Sequence, residues 1–531
     1  MDAVVFRNKD IKAHGMFVAS TSPSAWAWPI AVCLIAASLC LPFIHTVWWF
    51  GDEGIWLSGA LRLLHGRGLY TDTWAFHPPG GYLITAAWLS AFSTSFASAR
   101  LLATASIAGT ACLTYLTCQG VARHRPLAAA VSLAWVLMIQ GFGFQLNHQY
   151  LTTCLAMLAA CLSLAPGERA GRLTRRELGA FLCAGAATMI TPNRGLLLAG
   201  SLVASMRRRP GAGTVCMRAA AFATAPLATL AYLSFHRALA AAYSDTIVFP
   251  LTRYASDQWV PFGWGASPQN LPLVWLFPAA TAVAMLALLR CGHVLLADAR
   301  YRFCVALAAA GFLGAYPRPD IFHLGSTAPL SLPLLCLGLT ILASPMSRWW
   351  LGAATAATIA CSLHALWTYK DLLADTRARI SVPTVEGSIR LEANPPDPSV
   401  LISTLIAVPK TDGVFFYPYL MLMPYLTGHE QVGRNDVFVP GYTTPALYRE
   451  SCVAMIRFAD WVVVEKKWTD ARFLQTTFPA MHTPNPPEKQ ALERAIQKYF
   501  TPFSENAAFD IRRRTIPDGP ITRATEDQPC Q

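Results

Sequence analysis

Apolar runs of roughly 17–25 residues, the length a helix needs to cross the hydrocarbon of a bilayer, recur along the first 370 residues of this 531-residue chain. A soluble chain of this length would divide into several domains. Here hydrophobic residues make up 54% and charged residues only 14%, so the chain reads as a polytopic α-helical membrane protein. About 12 apolar segments can be marked, near 26–48, 81–96, 99–120, 126–143, 147–165, 178–191, 194–206, 217–239, 270–290, 300–316, 325–343 and 347–367.

The net charge of +12 invites a nucleic-acid partner, but its placement argues against one. Arginines gather in short loops: Arg123 and Arg125; Arg169, Arg172, Arg175 and Arg176; Arg207 to Arg209; Arg290, Arg300 and Arg302. Short basic loops between apolar runs mark the cytoplasmic face. If all 12 segments crossed, the loops after residue 120 would fall on the wrong side. The segment 81–96 (GYLITAAWLSAFSTSF) is short, rich in Ser and Thr, and follows Pro78-Pro79-Gly80-Gly81. It reads as an interfacial or re-entrant helix. About 11 crossings remain, with residues 1–25 cytoplasmic, a membrane domain over 26–370 and a first outer loop over 49–98.

After residue 370 charged residues and prolines rise. Val414–Tyr417 and Trp461–Glu465 read as buried strands, and 400–409, 445–458 and 487–499 as helices. About 160 residues suffice for a core, so 371–531 is expected to be a small extracytoplasmic α/β domain. Of 14 cysteines, 12 precede residue 370 with no CxxC pair, and they read as packing residues. Cys452 and Cys530 lie in the tail, where an oxidising compartment would let them pair. The excess of Arg over Lys, 34 to 8, points to a GC-rich bacterial genome and the inner membrane.

Chemistry-bearing residues gather on the outer side. Asp52 and Glu53 follow the first span; consecutive helical positions diverge by about 100°, so they cannot form a dyad on one face. Either they cap a helix, or one is a general base. The His77-Pro78-Pro79-Gly80 corner reverses the chain rigidly, and His77, Arg62 and Arg67 could meet a lipid phosphate or, for the arginines, snorkel. Arg318, Asp320 and His323 form a second polar knot, either a structural pair or a phosphate contact. Arg253 is a further cation candidate. Asn147-His148-Gln149 and Asn193-Arg194 complete the set. No Walker loop, GxGxxG, HExxH or GxSxG is present, which leaves nucleotide-driven chemistry and serine hydrolysis without local support.

Gly51-Asp52-Glu53-Gly54, Ala60-Leu61-Arg62-Leu63-Leu64-His65-Gly66, Leu69-Tyr70 and His77-Pro78-Pro79-Gly80 together resemble the first outer loop of GT-C glycosyltransferases. The similarity is to the protein O-mannosyltransferase and aminoarabinose-transferase-like branch and spans roughly 26–370. It implies juxtamembrane helices in that loop, a polyprenyl-phosphate-linked sugar donor, and inverting transfer to a hydroxyl of an envelope glycan, glycolipid or protein, with membrane lipids as surroundings. Asp52 matches the catalytic acidic position, with Glu53 its neighbour. His77 stands where some relatives place a lysine near the donor phosphate. Arg62, Arg253, Arg318 and His323 are the other expected phosphate contacts, and Tyr70, His148 and Asp320 the expected cavity residues. Some relatives carry another acidic residue in the second outer loop, where this chain has Asn147 and His148. No cofactor or metal ligand is assigned, and a divalent metal stays open. The competing readings are a transporter or flippase of a lipid-linked saccharide, whose repeats and midplane charges are not evident, and a non-catalytic assembly subunit.

Overall fold

The computed structural model describes residues 24–140, 142–164, 173–204, 206, 211–343, 349–392, 398–515 and 530. Residues 1–23 of the segment expected to be cytoplasmic, Arg169, Arg172 and Arg207 to Arg209 lie outside them. Each apolar segment becomes a helix. They begin with α1 (Ser24–Cys40), α2 (Asp52–Leu64), α3 (Gly80–Ala91), α4 (Phe96–Ala122), α5 (Arg125–Met138), α6 (His148–Leu164), α7 (Arg175–Thr188) and α8 (Pro192–Ala204). Helices Ala212–Phe235, Leu271–Cys291, Ala299–Leu313, Ile321–Thr327, Leu332–Ala343 and Trp349–Ala378 follow.

Among the described residues, five helices are long and apolar enough to cross a membrane, and a sixth if the bent pair Ile321–Leu330 and Leu332–Ala343 is one span. Length alone therefore licenses fewer crossings than the 11 expected. At 1.5 Å per residue, the 14 residues of α5 or α7 reach only about 21 Å. The 12 residues of α3 reach about 18 Å. Helices α7 and α8 are separate, packed on each other where Gly195 lets α8 approach the Thr188 backbone. Arg123, Arg125, Arg175, Arg290 and Arg300 lie at or beside helix ends. Arg123 follows the far end of α4, about 40 Å from Phe96.

The last long helix continues to Ala378, past the expected boundary at 370. Beyond it, hairpin β1–β2 (Ile380–Thr384, Gly387–Leu391) reaches back to the chain after α1, where Arg390 N–H donates to His45 O at 2.7 Å. A four-stranded sheet follows, in order β3 (Val414–Tyr417), β4 (Trp461–Glu465), β6 (Phe509–Arg514), β5 (Phe500–Glu505). β3 and β4 are parallel, and helix Pro445–Phe458 lies between them in the chain, as a parallel pair requires. The remaining pairs are antiparallel. Helices Ser399–Ala407 and Pro487–Tyr499 complete the tail, and Cys452 is disulfide-bonded to Cys530.

The tail is not independent. One core of its own holds Phe415, Tyr417, Phe438, Tyr448 and Leu492. A second, holding Leu420, Leu422, Tyr425 and Val463, is shared with Trp56, Leu57 and Tyr82 of the 49–98 segment. Alternating strand faces explain the split: Phe416 and Val463 face one core, Phe415 and Val462 the other.

The 49–98 segment is also tied to the helices by a buried ion pair. Glu53 and Arg100, 2% and 1% exposed, meet through Nε–Oε1 at 2.6 Å and Nη2–Oε2 at 2.7 Å. Arg100 also donates to Thr46 O and Phe144 O, and Glu53 accepts the Leu146 N–H at 2.9 Å. Removing one partner of such a pair strands a buried charge at a cost of about 3–5 kcal/mol. Arg100→Met should therefore lower the melting temperature of the detergent-purified protein sharply. Arg100→Met with Glu53→Gln should be less destabilised than Arg100→Met alone. Equal melting of Arg100→Met and wild type would contradict this role.

Candidate active site

A cavity of about 1010 Å³ opens where the 49–98 segment, the start of α6, the α7–α8 junction, residues 246–255 and 314–323, and the tail meet. Asp52 lines it; Glu53 does not. The expectation that Glu53 could serve as base is corrected by its ion pair with Arg100. The helical step that turns Glu53 into the core turns Asp52 toward the cavity.

Tyr419 donates its hydroxyl hydrogen bond to Asp52 Oδ1 and stacks on Trp468 with centroids 4.1 Å apart. Burial raises the Asp52 carboxyl above its ordinary range, with Asp320 adding to the rise. The Tyr419 bond and the charges of Arg318 and His323 pull it back. A carboxylate whose pKa is raised is the stronger proton acceptor.

Arg318, Asp320 and His323 come together on the same cavity. Arg318 Nη2 lies 3.2 Å from Asp320 Oδ2, and Nη1 donates to Gln258 Oε1 at 3.1 Å and to the Tyr442 hydroxyl at 2.9 Å. Asp320 caps Ile321–Thr327 by accepting the His323 N–H at 2.9 Å, and its Oδ1 lies 2.6 Å from His323 Nδ1. Burial would raise the Asp320 carboxyl, but His323 and Arg318 outweigh it and hold the group at about 2.

His77 and His148 also line the cavity. Their rings lie 4.4 Å apart, and each packs on Trp56, at 5.0 and 4.7 Å. Burial, with a smaller contribution from His323, pushes the His77 imidazole down to about 3. His77 is thus uncharged at neutral pH, and its expected role as a phosphate-binding cation becomes that of a neutral hydrogen-bonding wall.

Three expected site residues lie elsewhere. Arg62 is buried in an ion pair with Asp436 at 2.9 Å and does not line the cavity. Arg253 is exposed; its neighbour Tyr254 takes the cavity position. Tyr70, at φ 71°, is buried and donates to His77 O at 2.8 Å, so it shapes the corner from behind. Among the described residues, no group of three or more His, Cys, Asp or Glu side chains is gathered for the divalent ion left open above.

The tail supplies the wall that the sequence did not disclose: Tyr419, Tyr442, Glu465, Trp468 and Phe478. Burial pushes Glu465 up to about 8 against the pull of Lys467, so at neutral pH it is largely protonated and can donate. Arg194, noted only as part of an outer polar set, also faces this cavity.

The wall is seated by close backbone approach. Leu422 N–H donates to Phe50 O at 2.8 Å, and Ser58 Oγ donates to Met421 O at 2.6 Å. A methyl group at Gly54 would overlap the Met421–Leu422 backbone, and one at Gly51 the Tyr419 ring. Gly54→Ala should thus cost about 1–3 kcal/mol or more, read as a lower melting temperature than wild type. An unchanged melt would show that the tail is not seated there.

No protein-family model matches the chain, and no curated protein does. Solved structures do. ArnT from Cupriavidus metallidurans bound to undecaprenyl phosphate is similar at TM-score 0.57 and 12% identity, over 92% of this chain and 98% of that one. The same protein in its apo state gives 0.54 and 13%, over 93% and 98%. The arabinofuranosyltransferase AftD from Mycobacteria gives 0.50 and 14%, over 93% of this chain but 40% of that one. At these identities the similarity is one of fold, and the fold is that of a polytopic helical membrane protein.

Proposed function

We propose that this protein is an integral membrane glycosyltransferase that moves a sugar from a polyprenyl-phosphate donor to an acceptor hydroxyl, with Asp52 as general base. The observation that carries the reading is the cavity geometry. A half-buried carboxylate, held by Tyr419, faces the same space as the Arg318–Asp320–His323 cluster. The shared fold adds support, because ArnT was solved with undecaprenyl phosphate bound.

In the proposed step the acceptor O–H gives its proton to Asp52 as its oxygen bonds to the anomeric carbon. The bond from that carbon to the phosphate oxygen breaks, and the electron pair leaves with the polyprenyl phosphate. A single displacement inverts the anomeric centre. Cations and N–H donors facing the leaving oxygen stabilise the charge that develops there. The mainly apolar aromatic walls limit water, so the acceptor is favoured over hydrolysis.

The site is proposed to face the extracytoplasmic side of a bacterial inner membrane. Arg123 ends α4 about 40 Å along the helix from Phe96, whose N–H donates to Glu386 O in the β1–β2 turn, a separation that fits the charge bias of cytoplasmic loops. The Cys452–Cys530 bond fits an oxidising compartment.

A positioned base contributes about 10²–10⁴-fold. Asp52→Asn should therefore retain expression and melting behaviour but lose transfer by about that factor, measured with radiolabelled polyprenyl-phosphate sugar in detergent. Full retained transfer would remove Asp52 from the mechanism. A flippase would move the lipid-linked sugar across vesicles with no new glycosidic bond.

The base must be ionised, so turnover should rise with pH through the raised Asp52 pKa and fall away below it. Tyr419→Phe removes a bond that holds this pKa down. The acid limb of kcat/KM should move to higher pH in that variant. A limb unmoved or moved to lower pH would contradict the pairing.

A further inference from the structure

Arginine side chains buried in this protein are generally matched with carboxylates. Arg62 pairs with Asp436, Arg100 with Glu53 and Arg318 with Asp320. Arg194 differs. It is 5% exposed, its Nε donates to Gly314 O at 3.1 Å, and its Nη2 donates to Gln149 Oε1 at 3.1 Å. Both acceptors are neutral. Nη1 has no hydrogen-bond partner, and no ion pair to Arg194 exists among the described residues. An uncompensated guanidinium in such a place is costly unless a ligand brings the counter-charge.

A second orphan lies beside it. His148 Nδ1 is buried without a partner, and both residues line the cavity. Each stands in the first turn of a helix, His148 in α6 (17 residues) and Arg194 in α8 (13 residues). The positive ends of two helix dipoles therefore face the cavity there, while the first-turn N–H groups of Gln149 and Arg194 are capped by Asn147 Oδ1 and Asn193 Oδ1 at 2.8 and 2.9 Å. Gln149, which follows His148 in α6, accepts at Oε1 from Arg194 Nη2 and lies 2.6 Å from Ser326 Oγ.

Placement agrees. Ser326 Oγ also lies 2.8 Å from His323 O and shares its one proton between that carbonyl and Gln149 Oε1, so polar contacts run from Arg194 through Gln149 and Ser326 to the cluster. Asp52, the cluster and Arg194 all line the one cavity, Asp52 from α2 and Arg194 from α8. Inversion requires the activated nucleophile and the leaving group on opposite faces of the anomeric carbon.

We propose that Arg194, with His148 beside it and the first turns of α6 and α8 behind them, is the seat for the phosphate of the lipid donor. A planar guanidinium with a free edge matches a phosphate monoester or diester. This assignment rests on the lipid-phosphate reading above.

The test uses the full-length protein in detergent, titrated with geranylgeranyl phosphate, geranylgeraniol and inorganic phosphate, read by tryptophan fluorescence and by melting shift. Wild type should bind the phosphate lipid at least about 10-fold more tightly than the alcohol. Arg194→Gln should weaken phosphate-lipid binding by about 10–100-fold, the weight of a hydrogen bond to a charged group, and leave binding of the alcohol unchanged. Arg194→Lys should fall between them, and it carries the test if the Gln variant does not fold. If wild type prefers the phosphate lipid and both variants share that preference in full, the seat is elsewhere and the donor reading stands. If wild type binds alcohol and phosphate alike, the lipid-phosphate reading itself fails and the seat with it. Inorganic phosphate binding as tightly as the lipid, and lost in Arg194→Gln, would overturn the lipid as source of the anion.

Discussion

The buried pair between Glu53 and Arg100 sets the geometry on which the rest of the site depends. Arg100 reaches from α4 to the carbonyls of Thr46 and Phe144, and Glu53 reaches from α2 to the Leu146 N–H. Four separate stretches of chain are therefore fixed through two side chains. The guanidinium also lies 4.9 Å from the Phe96 ring centroid and 5.5 Å from that of Trp48. Because the charge is satisfied inside, α2 cannot rotate without breaking a bidentate contact. One helical step away, Asp52 is thereby aimed at the cavity. Of two adjacent carboxylates, one holds the structure and the other is free for chemistry.

The tail closes the site and does not merely follow the membrane domain. Its Tyr419–Leu422 stretch lies on α2 at glycine positions, and its hairpin grips the chain after α1. The resulting aromatic wall, with Trp468 behind Tyr419, limits the freedom of the phenol that contacts Asp52. Asp52, the Arg318–Asp320–His323 cluster and the wall are thus parts of one packed unit, in keeping with the core shared by the 49–98 segment and the tail.

Much of the scaffold was legible in the sequence because hydrophobic runs report burial directly. Each of the 12 apolar segments corresponds to helix, 81–96 resolves into the short α3, and strands Val414–Tyr417 and Trp461–Glu465 fall where short continuous aromatic and β-branched runs place them. Strands β1, β2, β5 and β6 were not legible. β1, β2 and β5 are partly exposed, β1 and β5 carry Pro383 and Pro502, and β6 ends in a run of arginines, so their apolar patterns are weak. For the site, Asp52, His77, His148, Arg318, Asp320 and His323 could be anticipated as polar groups at the ends of apolar runs. Local sequence could not separate Asp52 from Glu53, since Arg100 is 47 residues away, nor reveal Tyr419, which lies 367 residues from its partner. Arg62 and Arg253 looked equivalent to Arg318, because only the folded chain shows that Arg318 lines the cavity while Arg62 and Arg253 lie outside it.

The central claim is spatial: a carboxylate from the start of α2 meets the anomeric carbon of a lipid-linked sugar on the face opposite its phosphate. A structure with a non-transferable polyprenyl-phosphonate sugar tests it most directly. The account expects that carbon within about 6 Å of an Asp52 oxygen, room for one acceptor hydroxyl between them, with the phosphonate on the far side. A sugar lodged away from Asp52, or a phosphonate on the same face as that carboxylate, would contradict it.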